Sequence, residues 1–130
     1  MPALAGRKPG GTKMRPHWPE MTKELSGALR NLRTGAPDVM KAFSGLAQAA
    51  LAPRALDTKT KELIALGIAV AVHCDDCIAF HVKAAVEQQA TREEVLDVLG
   101  MAIYMGGGPS AMYANHVLEA FDQYTAKPQP

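Results

Sequence analysis

From Glu20 to about Tyr124 the apolar residues of this chain recur at three- and four-residue intervals, and no window alternates polar and apolar residues with the two-residue period of a strand. The fold is therefore expected to be all-α. Punctuation sets the helix boundaries. Gly35 ends a first helix near residues 20–33, Pro37 suits the first turn of a second near 37–50, and Pro53 lies beyond its end. Asp57 is an N-cap for a third helix that carries Leu63, Ile64, Leu66, Ile68, Val70 and Val72; being apolar nearly all round, it should be central. A fourth helix spans about 74–89, reversing from the third near His73 to make a central antiparallel hairpin. Thr91 with Glu94 three residues later is a capping box for a fifth, which runs through Met105. Gly106-Gly107-Gly108-Pro109 breaks the chain before a sixth, from Pro109 or Ser110 to about Tyr124.

The glycine run is no phosphate loop, because no strand precedes it and no Lys-Ser/Thr follows it. It reads as a tight helix-helix turn where backbones approach closely. Met101, Tyr104, Met105 and Met112 gather around it, for core or subunit packing or, alternatively, as a flexible apolar lining for an organic substrate.

A chain of 130 residues with 48% hydrophobic and 21% charged residues fits one globular domain. A net charge of +1 gives no field that would favour nucleic acid, and no uncharged run of ~18 apolar residues suggests a membrane span. Residues 1–11 show no apolar h-region of a secretory signal, so a cytoplasmic protein is expected. Residues 1–19 contain Pro2, Pro9, Pro16 and Pro19, with Arg7, Lys8, Lys13 and Arg15 but no acid. They read as an extended basic arm, either disordered or packed on a neighbouring subunit with His17 and Trp18 as the anchor. Residues 20–125 form the helical domain, and 126–130 a loose tail.

The chemistry lies in the hairpin. On one helix Cys74, Cys77 and His81 stand at i, i+3 and i+7, within about 60° of one another. Counting back from the turn at about 1.5 Å per residue, Glu62 on the preceding helix should meet His81 rather than the cysteines. The order of contact is thiol, imidazole, carboxylate. A helix N-terminus and a neighbouring imidazole favour a thiolate, whereas Asp75 and Asp76 oppose it. His81 can take the proton of Cys77 while Glu62 orients the ring, and the Cys77 thiolate can then attack a peroxide O–O bond. Cys74 can condense with the resulting sulfenic acid to close a disulfide. A zinc site built from Cys74, Cys77 and His81 with His73 or His116 competes with this reading. Structural zinc sites, however, commonly draw paired ligands from two knuckles, and these three share one helix face. Inert packing cysteines are the other alternative. His73 reads as a turn residue, and His116, one turn after Tyr113, as a satisfied core or interface histidine or a pocket wall.

The spacing Glu62-x11-Cys74-x2-Cys77-x3-His81, with Met105-Gly-Gly-Gly-Pro109 downstream, resembles the alkylhydroperoxidase D branch of the carboxymuconolactone decarboxylase family over about residues 35–125. The resemblance implies a compact six-helix subunit that assembles into a homo-trimer or homo-hexamer. It also implies peroxidase activity with hydroperoxide as substrate, no bound cofactor or metal, and an external dithiol such as a lipoyl group as electron donor. Cys77 then corresponds to the peroxidatic thiol, Cys74 to the resolving thiol, and Glu62 and His81 to the proton relay. One departure bears on the relay: Asp76 stands where the best-known peroxidase members have a histidine. Two other readings fit less of the sequence. One is a decarboxylase-like enzyme acting on a small cyclic acid; the other is a non-enzymatic, redox-responsive assembly module.

Overall fold

The computed structural model describes residues 17–126, which form six helices and no strand: α1 (Trp18–Gly35), α2 (Pro37–Leu51), α3 (Thr58–Ala71), α4 (Asp75–Glu87), α5 (Arg92–Gly106) and α6 (Gly108–Thr125). Residues 1–16 of the expected arm and 127–130 of the tail lie outside the described residues. The caps act where the sequence places them. Asp57 accepts a 2.7 Å hydrogen bond from the Thr60 N–H to start α3. Thr91 and Glu94 exchange both bonds of the capping box that starts α5. Between α5 and α6 only Gly107 is non-helical, at φ 71°, and a β-carbon on Gly106 would overlap the buried Ser110 side chain. The turn thus needs glycine for both backbone conformation and close approach.

Hairpin α3–α4 forms the centre, with α5 and α6 packed against it and α1 laid over α4 and α6. Leu66, Val70, Ile78, Val82, Val95 and Val117 are fully buried in its core. Among the described residues, helix α2 packs only against α1 and α3. The end of α2 is fixed to α3 by Lys61, whose ammonium donates to the carbonyls of Ala50 and Ala52 at 2.8 and 2.6 Å.

One feature differs from the sequence expectation. Trp18, read as part of an arm either disordered or packed on a neighbouring subunit, begins α1 and is 1% exposed in this chain's own core. Its backbone N–H donates to Gln123 Oε1 at 2.7 Å and its indole N–H to Glu119 Oε1 at 3.2 Å. Pro19 permits this early start, because a proline in the first turn loses only an N–H that has no helical partner. Much apolar surface also stays open. Helix α3 buries Leu63, Leu66 and Val70 but exposes Ile64 and Ile68, and Val72 at its C-cap is exposed as well. Helix α2 buries nothing and presents Val39, Phe43 and Leu46 as an exposed stripe. Met101, Tyr104, Met105 and Met112 are exposed and fill no core space.

Candidate active site

The turn from α3 to α4 is built to deliver Cys74. His73 adopts φ 58°, in the left-handed region, and its N–H bonds to the Val70 carbonyl while that of Cys74 bonds to Ala69. These two bonds close a Schellman motif, so α3 ends sharply and Cys74 becomes the N-cap of α4. The Cys74 sulfur accepts the Cys77 N–H at 3.1 Å, and the two cysteines are joined as a disulfide. Cys77, one turn in, packs against the core.

The structure brings Glu62 and His81 together as the spacing required, with His81 Nδ1 2.6 Å from Glu62 Oε2. Glu62 is 4% exposed. A carboxylate only accepts hydrogen bonds, so Nδ1 carries the proton and Nε2 is the nitrogen left to exchange one with a thiol, directly or through water. Burying that carboxylate is tolerable because it is paired. His81 opens on its other side onto an apolar groove of about 350 Å³ walled by Ala50, Leu51, Ile64 and Ile68. Ile64 and Ile68 also wall a second apolar groove of about 380 Å³ that reaches Met101 and Met105.

Sequence reasoning missed a second carboxylate–imidazole pair at the mouth of α4. His116 Nδ1 on α6 lies 2.7 Å from Asp75 Oδ1. The rings of His73 and Tyr113 stack with centroids 4.5 Å apart, 13° from parallel. Nothing local in the sequence signals either contact, since Asp75 and His116 are 41 positions apart and meet only through the α4–α6 packing. Asp76, the departure from the family pattern, is exposed. Among the described residues no group of three or more His, Cys, Asp and Glu side chains gathers closely enough to hold a metal ion, and no helix is long and apolar enough to cross a membrane.

A helical bundle around a hairpin whose turn leads into CxxC, with an acid–imidazole pair one turn further on, defines a class of small helical proteins. This chain belongs to the carboxymuconolactone decarboxylase family, whose model matches residues 37–120. It is similar in structure to a carboxymuconolactone decarboxylase family protein from Legionella pneumophila, 53% identical, with a TM-score of 0.81 over 83% of this chain and 96% of that one. A family member from Thermotoga maritima, for which a role in the antioxidative response has been suggested, is 32% identical with a TM-score of 0.61 over 65% of this chain and 87% of that one. An uncharacterized protein of Cupriavidus necator is 43% identical over 79% of this chain and 91% of its own length.

Proposed function

We propose that the protein is a thiol-dependent peroxidase and disulfide reductase, in which Cys77 attacks a hydroperoxide and Cys74 resolves the product. The observation that carries this reading is the Cys74–Cys77 disulfide on the same hairpin as the 2.6 Å Glu62–His81 pair. His81 takes the Cys77 proton and Glu62 stabilises the imidazolium. The thiolate attacks the terminal peroxide oxygen, the O–O bond breaks, and the leaving alkoxide collects the proton from His81. Cys74 then displaces water from the Cys77 sulfenic acid to form the disulfide. An external dithiol such as a lipoyl group restores both thiols. The apolar groove beside His81 suits the organic part of an alkyl hydroperoxide. The exposed stripes on α2, α3 and α5 support assembly into a homo-trimer or homo-hexamer. A cytoplasmic setting and independence of any bound metal or cofactor belong to the same reading.

Peroxide consumption with dihydrolipoamide, compared with thioredoxin, in the wild type and single cysteine variants tests it. Turnover lost in both variants is the expected result. Oxidation of the pair without turnover would instead support a redox-responsive assembly module, and activity on a cyclic acid surviving both substitutions would support decarboxylase-like chemistry.

A further inference from the structure

Cys74 is flanked in the chain by two residues that α6 holds from outside the hairpin. Before it, His73 keeps its left-handed conformation with its ring stacked on Tyr113. After it, Asp75 is hydrogen-bonded at 2.7 Å to His116. Tyr113 and His116 are three residues apart on α6, with ring centroids 5.0 Å apart, so a single face of that helix grips the chain on both sides of the cysteine. The Glu62–His81 pair joins α3 to α4 and uses none of these residues.

We infer that Tyr113 and His116 are positioning residues for the reductive half-reaction, holding the Cys74 sulfur for attack by an incoming dithiol and offsetting the Asp75 charge beside it. This rests on the thiol-redox reading of the site. One thiolate of the donor attacks Cys74 Sγ, the Cys74–Cys77 bond breaks, and Cys77 leaves as a thiolate that is then protonated. The donor's second thiolate attacks the donor sulfur of the mixed disulfide and expels Cys74, which is protonated in turn. The dithiol has lost two electrons and two protons, and the cysteine pair has gained both. At the second step a negative sulfur appears next to the Asp75 carboxylate. The hydrogen bond from His116 draws that carboxylate's charge away from it. At the first step the His73–Tyr113 stack keeps the turn from relaxing, so the Cys74 sulfur stays at the mouth of the helix. Peroxide attack on Cys77 depends on neither contact.

The test separates the two half-reactions in stopped-flow experiments. The disulfide is prepared with diamide, so no peroxide is involved, and its reduction by dihydrolipoamide is timed by quenching and alkylation of free thiols; oxidation of the pre-reduced protein by cumene hydroperoxide is timed separately. Tyr113→Leu and His116→Leu should each slow reduction about tenfold and leave oxidation within twofold. Tyr113→Phe keeps the stacking ring and should restore reduction, and His116→Gln keeps a donor for Asp75 and should recover part of it. If either leucine variant fails to fold, His73→Asn removes the stacked ring from the exposed side of the turn, tolerates its positive φ and should slow reduction alone. Equal slowing of both half-reactions, or reduction unchanged in the leucine and His73→Asn variants, would overturn the inference. A wild-type protein that consumes no peroxide overturns the proposed function instead, because the diamide-started measurement still reads the clamp.

Discussion

Glu62 and His81 share a 2.6 Å hydrogen bond, yet the carboxylate side chain is 5% exposed and the imidazole 33%. The acid is fixed in the core of α3, whereas the base faces the groove from which a substrate would approach. Removing the charge of Glu62 should therefore disable the base without collapsing its surroundings. Glu62→Gln is expected to keep the fold and to slow Cys77 oxidation by roughly 10² to 10⁴, the usual range for general acid–base assistance. His81→Ala should be the more destabilising change, by about 1–3 kcal/mol, since it strands a buried carboxylate. Urea unfolding and peroxide kinetics on both variants check the order, and wild-type kinetics in Glu62→Gln would remove the relay.

The two cysteines occupy different places, one capping α4 and one packed against the core. Cys77→Ser should abolish peroxide reduction. Cys74→Ser should still form a single sulfenic acid, trapped by dimedone at Cys77, but no disulfide. Mass spectrometry of the labelled peptide reads the outcome, and labelling of Cys74 in an active Cys77→Ser protein would reverse the assignment.

Trp18 changes what an N-terminal truncation should do. Deleting residues 1–16 leaves Trp18 in place, whereas a deletion through residue 18 removes the side chain that α1 buries. Trp18→Ala should cost about 3–5 kcal/mol. Chemical denaturation of the two truncations side by side distinguishes a core residue from an arm residue, the former predicting a large difference between them.

The open stripe of α2, in which Phe43 is 62% exposed, should be covered in solution by other copies of the chain. Purified protein should run well above 13.9 kDa, and Phe43→Glu with Ile68→Glu should shift it toward that mass. Light scattering that finds a stable, fully active wild-type monomer at micromolar concentration would contradict the assembly.

Two surface caps set an acid limit. Hydrogen bonds from Thr60 hold the Asp57 carboxyl below its ordinary value of 3.8. The backbone N–H of Thr91 first, and then Lys59, hold that of Glu94 below 4.5. A carboxyl lowered by folding contributes stability that is complete above its unfolded value and lost as pH falls through the folded one. Thermal unfolding between pH 5 and 2 should show this loss, and Glu94→Gln should flatten part of that slope.

Most of this framework was legible in the sequence because its signals are local. Asp57, Thr91 and Pro37 mark helix starts within a few residues, and the spacing from Glu62 to His81 needs only a helical rise and one turn. Trp18 was misread because the surrounding prolines and basic residues suggest an arm, while its burial depends on a groove made by residues a hundred positions later. The Asp75–His116 contact was illegible for the same reason: the rotation of α6 about its axis decides it. Which apolar residues stay bare was not legible, because periodicity shows which residues share a face and not whether anything covers that face.

The only tryptophan of the chain lies with its ring 6.0 Å from that of His116, the residue bonded to Asp75. The protein thus carries its own optical probe: unlabelled fluorescence at this one position registers any displacement of the His116 ring and, through it, of the turn beside the cysteine during a single turnover.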